Sequence, residues 1–516
     1  MKWFSKDDPK SYASAIVIAL TLIYAIVVTT AYPRWLVDDA YIIFRYAENL
    51  AFHGALTWNV GEAPVEGYTG VAFPVLIAAA VKLGISPALA AHALGVAFYF
   101  LGGLFTFLIL GGFNFGSAVA LMLYFTAPFM FTHAWSGLET TTFASAMLLA
   151  IYAFVSRRRK LFLLALLFLS FTRPEGVILS VLLLILYRPV SFRSLLICLI
   201  PLAAYFLWRW MYYGALLPNT YYAKAGDSRV TIFDYAEWCV RRWTLYGHVL
   251  PDSGSAYRTG TIAMTRNAAD LFEFLRGFLL RPALAALVVI AWGSIRKHAL
   301  LAAATAAYCV FVVIGYLTFN LQMNFSHRFF VPFYPLAVLA LGGLMKESRL
   351  SLRLVLAVVF LIAPQMRINL DRIARNNERS YASTHKQMLE DEHVAVGRYL
   401  RETIPPDERL IVYADAGAIP YYSKLKTMDF GGLNDTYLAR EKPDVEEAVD
   451  YFFSRNAAAV VLTEMEQSID FDAARLKRIF GDPRFGRYTL VRRYGSAARS
   501  GYFQVLYIRN DLVPPR

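Results

Sequence analysis

Residues 12–32 read YASAIVIALTLIYAIVVTTAY and decide the class of fold. The stretch contains no charged residue, and a helix of about 20 apolar residues crosses the hydrocarbon core of a bilayer. The apolar core of a signal peptide is shorter, and no clear small-x-small cleavage site follows here. We therefore predict a first membrane span that is retained in the mature protein.

The composition extends this prediction to the whole chain. Hydrophobic residues make up 57% of the 516 residues and charged residues only 17%, whereas soluble domains carry about 25% charged residues. With a mean hydropathy of +0.44, a polytopic membrane protein is predicted, and disordered, fibrous and disulfide-rich classes are excluded. The net charge of +13 is expected in cytoplasmic loops and not on a nucleic-acid-binding face. The three cysteines form no CxxC pair, so no disulfide framework is predicted.

Basic clusters indicate how the remaining apolar runs cross the membrane. All four basic clusters face the cytoplasm if the run at 70–84, which is short and contains Pro74, lies as a helix at the outer surface and does not cross the membrane. That arrangement leaves about eleven spans. The basic clusters are 157–160, 188–193, 296–297 and 346–353. The candidate runs are 12–32, 70–84, 87–111, 115–132, 140–156, 161–172, 174–187, 194–213, 273–293, 299–319, 329–345 and 352–366.

The sequence predicts two domains. Residues 1–366 form a membrane domain, in which 33–86 is an outer loop with the surface helix and 212–270 is a second outer loop. Residues 367–516 carry frequent charges and no run long enough to span, so we predict a soluble, extracytoplasmic α/β domain. Its predicted helices are 390–403 and 445–453, and its predicted strands are 410–413, 457–462, 488–491 and 503–508.

Two adjacent aspartates follow the first span in the sequence LVDDAYIIFRYAENL, residues 36–50. Carboxylates at a membrane boundary are costly unless they are paired or used, and partial shielding raises a carboxyl pKa toward the range of a general base. Asp38 and Asp39 are therefore the candidate catalytic residues. A solvated helix cap, worth about 1 kcal/mol, is the simpler alternative. Two carboxylates also suit Mg²⁺ or Mn²⁺, but we favour a site with no metal and no other cofactor.

The chain contains several short motifs: DDAYIIFRYAENLAFHG (38–54), WNVGEAPVEGYTG (58–70), WSGLETT (135–141), TRPEG (172–176), YYGALLPNTYYAK (212–224), DAGAIPYY (415–422) and DFGGLND (429–435). Together these motifs resemble those of the GT-C glycosyltransferases, and in particular of the arabinofuranosyltransferases of mycobacterial cell-wall synthesis and related pilin-modifying arabinosyltransferases.

This resemblance implies a multi-pass enzyme of the plasma (inner) membrane with its active site on the extracytoplasmic side. It implies transfer of a sugar, D-arabinofuranose, from a polyprenyl-phosphate donor to an extracytoplasmic glycan, lipid or protein. The acidic pair would supply the base. We favour Asp38 for that role, with Asp39 orienting the acceptor or supporting its partner, although the residues themselves leave the choice open.

Cations near the outer ends of spans are candidates to hold the leaving phosphate, since Arg forms bidentate phosphate contacts. Lys224 and Arg328 rank first, because one closes the PNTYYAK motif and the other stands in a short polar break. Snorkelling to lipid headgroups is the alternative for each. The candidate cations are Arg45, Arg173, Arg209, Lys224, His327 and Arg328.

Polar and aromatic residues of the same motifs are candidates to bind sugar or acceptor. Glu139 is a candidate for sugar hydroxyls, and Glu175 is expected either to bind substrate or to pair with Arg173 as a structural clamp. Tyr221 belongs to an aromatic group around 208–222 that forms either an interfacial belt or a stacking surface. The aspartates at 415, 429 and 435 are explained by turn chemistry. The remaining candidates are Glu66, Tyr68 and Asn219.

Two rival functions stay open. A flippase or transporter of lipid-linked glycan would use broken helices, and the Arg173-Pro174-Glu175 break is compatible with one; the absence of internal repeats favours an enzyme. A ligase that moves a preassembled glycan would share the same geometry. The sequence has no HExxH, GxxxxGK[ST] or GxSxG motif, so zinc hydrolysis, a P-loop and a serine-hydrolase elbow are not predicted.

Overall fold

The computed structural model describes residues 9–187, 192–224, 299–317, 325–347, 381–465 and 473–514. The predicted spans at 273–293 and 352–366 lie outside the described residues, as do the cluster at 296–297 and most of the second outer loop. The helices of the N-terminal part are α1 (Pro9–Ala31), α2 (Asp38–His53), α3 (Ala72–Lys82), α4 (Pro87–Leu110), α5 (Phe115–Thr126), α6 (Pro128–Ala134), α7 (Thr140–Val155), α8 (Arg159–Thr172), α9 (Pro174–Leu186), α10 (Phe192–Tyr213), α11 (Asn219–Lys224), α12 (Ala299–Leu317) and α13 (Tyr334–Glu347).

Within the described residues, three helices are long and apolar enough to cross a membrane: Ser11–Ala31, Pro87–Leu110 and Phe192–Tyr213. All three coincide with predicted spans. A fourth predicted span is broken into α5 and α6, which meet at an angle of 61°. Pro128 begins α6 and has no N–H to continue the ladder of α5. The number of eleven spans stays a prediction.

The segment between α1 and α4, which the sequence predicts as an outer loop, folds mainly into α2 and α3. The first turn of α2 contains Asp38 and Asp39, whose charge is favourable at the positive end of the helix dipole. The helix ends at Gly54, whose φ of +67° is a common C-terminal cap. Phe73 and Ile77 of α3 are buried in the cluster that covers α2. The predicted surface helix is thus a helix, shorter than the run that predicted it.

A mixed five-stranded sheet forms the C-terminal domain, with strand order β2-β1-β3-β5-β4. β1 is parallel to β2 and β3, and β5 is antiparallel to β3 and β4. Leu410, Ile411 and Val412 are all buried, as expected for a central parallel strand with both faces covered. The elements are α14 (Tyr381–Met388), α15 (Ala395–Thr403), β1 (Arg409–Tyr413), α16 (Ala418–Ser423), β2 (Lys426–Asp429), α17 (Val445–Ser454), β3 (Ala459–Met465), α18 (Ala473–Gly481), β4 (Tyr488–Ser496) and β5 (Arg499–Arg509).

The four predicted strands are present, and so is the predicted helix at 445–453. The predicted helix at 390–403 begins as a π-helix, Leu389–Val394, and continues as α15. The sequence patterns do not predict β2, α14, α16 or α18. All four are short, and the Lys-Thr-Met-Asp of β2 gives little signal of alternation.

The C-terminal domain contacts the segment between α1 and α4 through buried hydrogen bonds. The Trp58 indole donates to the Thr427 carbonyl at 2.8 Å, and the Tyr46 hydroxyl donates to Asn434 at 3.1 Å. Ion pairs at the edge join Arg409 to Glu62 and Lys424 to Glu48. The loop that carries the acidic pair is therefore held between the helices and the sheet domain.

Candidate active site

The second aspartate of the pair contacts one of the predicted phosphate-binding cations. Arg328 Nη1 donates to Asp39 Oδ2 at 2.8 Å. Arg328 is 5% exposed, and its Nε donates to no acceptor among the described residues. The guanidinium therefore keeps donor capacity beside the carboxylate that it orients.

A sharp backbone turn delivers Arg328 to this position. Ser326 and His327 have φ of +45° and +58°, which costs free energy for residues other than glycine. The Ser326 carbonyl is 3.1 Å from His133 Nε2. His327 is thus adjacent to the cation in sequence and helps to form the turn.

Lys224 completes the cationic side of the site. It is the last residue of α11, and its Nζ lies 5.5 Å from the centre of the Phe329 ring, over which Arg328 also lies at 5.4 Å. Burial, together with repulsion from Arg328, lowers the pKa of Lys224 to about 8, and Asp39 partly opposes this. Two cations are therefore close to one carboxylate, which favours binding of a further anion.

Arg173 is fully engaged by acidic partners. It contacts Glu139 at 3.2 Å and Glu175 at 3.1 Å, and it donates to the Tyr316 hydroxyl at 3.1 Å. Tyr316 also donates to Glu175. The network agrees with the structural-clamp interpretation of Glu175. It also interacts electrostatically with Lys224, so it borders the site.

The first aspartate has a different environment from the second. Asp38 is 4% exposed, and its two carboxylate oxygens accept hydrogen bonds from the backbone N–H groups of Gly417 and Ala418, each at 2.8 Å. Burial, which His393 opposes and Asp415 reinforces, raises the pKa of Asp38 to about 7. Asp38 therefore binds the C-terminal domain, while Asp39 binds Arg328.

Behind Gly417 lies a polar cluster that the sequence analysis did not predict. Asp415 Oδ2 accepts hydrogen bonds from Thr463 at 2.9 Å, from Gln504 at 2.8 Å and from Tyr502. His393 Nε2 is 3.3 Å from the same oxygen. These donors hold the pKa of Asp415 well below its usual range, against the opposing effect of burial. Asp429 and Asp435, in contrast, accept from nearby backbone N–H groups, as turn chemistry predicts.

Two predicted cations are used within the fold and do not join the Asp39 site. Arg45 donates to the carbonyls of Trp58, Pro420 and Leu425 and to the Asn59 side chain, at 2.8 to 2.9 Å. Its guanidinium also covers the Trp58 ring. Arg209 forms a buried pair with Glu66 at 2.6 Å. The candidate substrate contacts of Arg45 and Glu66 are thus occupied by protein groups.

Three further candidates are likewise tied to protein groups or lie at the surface. Tyr68 is hydrogen-bonded to Tyr213 at 3.0 Å. Asn219 donates to the carbonyls of residues 432, 433 and 435 and so joins α11 to the C-terminal domain. Tyr221 is 41% exposed. Trp208 and Tyr212 stack at 5.3 Å and are partly exposed, as an interfacial belt would be.

The carboxylates of the acidic pair already accept hydrogen bonds from protein donors. Among the described residues, no group of three or more His, Cys, Asp or Glu side chains could hold a metal ion. The oxygens of Asp38 already accept from amides, and Asp39 already accepts from a guanidinium. The donor chemistry around Asp39 suits an anion better than a metal.

Comparisons with known proteins concern the fold. A family model described as a domain of unknown function (DUF8728) matches residues 379–507. A comparison with curated proteins finds no match. The chain is similar to ArnT from Cupriavidus metallidurans in the apo state, with 13% identity, a TM-score of 0.55 and coverage of 98% of this chain and 100% of that chain. The structure of the same protein bound to undecaprenyl phosphate gives 13% identity, a TM-score of 0.56, and 99% and 100% coverage.

The shared architecture extends over nearly the whole chain. The protein thus shares with ArnT a fold of apolar helices followed by a small C-terminal sheet domain, and the predicted class, a polytopic α-helical membrane protein with a C-terminal α/β domain, is confirmed. At 13% identity the similarity identifies the fold and not the reaction. The side of the membrane on which the C-terminal domain lies stays a prediction.

Proposed function

We propose that this protein is a membrane glycosyltransferase that moves a sugar from a polyprenyl phosphate to an extracytoplasmic glycan, lipid or protein acceptor. The observation that carries the proposal is the Asp39–Arg328 contact of 2.8 Å beside Lys224. It gives one carboxylate and two cations at one place, on a fold shared with a protein whose structure contains undecaprenyl phosphate.

Asp39 is the proposed general base. It takes the proton of the acceptor hydroxyl while that oxygen attacks the anomeric carbon of the sugar, and the bond to the lipid phosphate breaks. The contacts support Asp39 over Asp38, the reverse of the preference from sequence, because both oxygens of Asp38 accept backbone hydrogen bonds. The partial exposure of Asp39, 17% for its side chain, leaves it accessible to an acceptor.

Lys224 and Arg328 are the proposed phosphate-binding residues. The leaving group is an anion, and two positioned cations stabilise the charge that it gains as the sugar departs. The lowered pKa of Lys224 supports this role. Burial and repulsion from Arg328 disfavour the charged form of Lys224, and a bound anion offsets both effects by attracting the two cations. Glu139 and Arg173 form the wall beside these cations, and we propose Glu139 as a contact for sugar hydroxyls.

The donor sugar is proposed to be a pentofuranose, D-arabinofuranose, on the basis of the sequence resemblance. A turnover assay tests both levels of the proposal. Purified protein is given a panel of polyprenyl-phosphate pentoses and hexoses together with candidate acceptors, and release of polyprenyl phosphate is measured. Release coupled to a glycosylated acceptor supports transfer, whereas movement of intact donor across a vesicle membrane without release would indicate a flippase.

Variants then assign the residues. We expect Asp39→Asn to lower kcat about 10²–10⁴-fold, the usual contribution of a general base. Lys224→Ala and Arg328→Ala should both raise the donor KM and lower kcat, because each removes a cation that stabilises the departing phosphate. The loss in kcat should be larger for Arg328→Ala, because Arg328 also orients Asp39. Arg401→Ala, at an exposed position of α15, is the control. An Asp39→Asn variant with wild-type turnover would refute the assignment of the base.

A further inference from the structure

Asp38 belongs to the helical part of the protein, but the hydrogen-bond donors to its carboxylate belong to the C-terminal domain. Its carboxylate oxygens each accept one backbone N–H, from Gly417 and Ala418, at 2.8 Å. Asp38 is buried and precedes Asp39 in the first turn of α2. A displacement of the Asp38 carboxylate therefore moves the backbone that carries Asp39.

The contact depends on the absence of a side chain at position 417. A Cβ added to Gly417 would lie 2.0 Å from the backbone oxygen of Asp38 and 2.5 Å from its Oδ2. These separations are far below the van der Waals contact distance of about 3.5 Å. Since the first obstacle is backbone, α2 and the 414–417 loop must separate to admit any larger residue.

The loop that presents these N–H groups is itself fixed by the sheet. Asp415 accepts from Thr463 of β3 and Gln504 of β5, and it pairs with His393. Ala414 has a φ of +82°, a conformation that persists only where surrounding contacts impose it. The receptor for the Asp38 carboxylate is therefore preorganised by groups that touch neither Asp39 nor Arg328.

We infer that the C-terminal domain positions the reacting carboxylate: Gly417 and Ala418 hold Asp38, and Asp38 holds the first turn of α2 so that Asp39 meets Arg328. Asp38 and Gly417 are thus positioning residues for the proposed transfer, on which this inference rests. A misplacement of 1 Å at a reacting group lowers the rate about 10²-fold. Through the Asp38 contact, the sheet domain acts on the rate of the chemical step and not on donor binding.

Gly417→Ala tests this inference from the side of the sheet domain, without altering any carboxylate. In full-length protein with the active donor, we expect kcat to fall about 10–100-fold and the donor KM to change less than twofold, because Lys224 and Arg328 are untouched. Hydrogen exchange should become faster in peptides that cover the first two turns of α2. Glu62→Gln, which removes the Arg409–Glu62 pair between the same two parts, should leave kcat and exchange in α2 unchanged.

Asp38→Asn is the second variant and serves if Gly417→Ala does not fold. Its amide can accept one N–H but presents its own donor to the other, so kcat should fall. The remaining rate should still decrease at low pH, as the wild-type rate should, because Asp39, the proposed base, is still present. A variant whose rate no longer decreases at low pH would make Asp38 the base and overturn the inference. So would either variant with wild-type kcat. A wild-type protein that transfers no sugar from any donor would instead refute the proposed function.

Discussion

His393 should give the stability of the C-terminal domain a measurable dependence on pH. Its imidazole is 1% exposed and its Nε2 lies 3.3 Å from Asp415 Oδ2. Burial opposes the charged form, but the attraction of the Asp415 carboxylate and the hydrogen bond that His393 donates to it outweigh burial and raise the pKa of His393 from 6.5 to about 9. The other groups that interact with His393 are Asp38, His385, Glu392, Tyr502 and Gln504.

The sign and size of the effect follow from this pKa. Because the folded-state pKa is the higher one, the stabilisation is fully present below about pH 6.5 and is lost as the pH rises through about 9. The difference corresponds to about 3 kcal/mol in total, of which about 2 kcal/mol disappears between about pH 7 and 9.5.

His393→Gln keeps a hydrogen-bond donor but removes the charge. We expect this variant to unfold at a lower temperature than the wild type near neutral pH and at nearly the same temperature above the folded-state pKa. Unfolding of the full-length protein can be followed by tryptophan fluorescence, since Trp58 donates to Thr427 across the domain contact. His53→Gln, at the exposed end of α2, is the control. A difference in unfolding temperature that stays constant over this pH range would refute the electrostatic argument.

Two further predictions concern Arg45 and Arg209, which the sequence placed among the phosphate ligands and which contact protein groups instead. Arg45→Ala should destabilise the protein by about 3 kcal/mol or more, because several buried acceptors lose a charged donor, while the donor KM stays unchanged; a raised KM in a protein of normal stability would return Arg45 to the substrate site. Glu66→Leu should cost about 3–5 kcal/mol by leaving Arg209 buried and unpaired. Adding Arg209→Leu should recover most of that loss in thermal unfolding, and a double variant as unstable as the single one would contradict this account of the pair.

Long apolar segments and alternating patterns made much of the fold predictable. The segments 12–32 and 87–111 contain no Asp, Glu, Lys or Arg side chain, and both form long helices. Leu410, Ile411 and Val412 form a central strand, as a short β-branched run between polar residues predicts. The break between α5 and α6 at Pro128 was not predicted. A proline is common at the first turn of a helix, so its presence does not by itself show that the apolar run 115–132 bends there.

The candidate site was predictable where it consists of charged side chains near the end of a predicted span. Asp39, Lys224 and Arg328 come from three distant parts of the chain; Arg328 pairs with Asp39, and Lys224 interacts electrostatically with both. Arg45 has the same local features, yet its partners include carbonyls at 420 and 425. A carbonyl is present at every residue, so the sequence holds no sign that these two would accept from Arg45.

The two members of the acidic pair could not be distinguished for the same reason. Their difference arises from what approaches each of them, a guanidinium at Asp39 and two amides at Asp38. The one signal in the sequence was the glycine of DAGAIPYY, and its importance is steric. His393 gave no signal, because its partner Asp415 lies on another element.

Backbone N–H groups hold the Asp38 carboxylate, and this affects which substitutions the protein can tolerate during evolution. Every amino acid except proline supplies such an N–H group. Substitutions at position 418 can therefore accumulate without loss of the hydrogen bond, provided that the new side chain fits. Position 417 has no such latitude. Relatives that preserve this contact should then have an invariant glycine next to a variable residue. Methods that detect contacts from covariation between pairs of side chains would not detect this one.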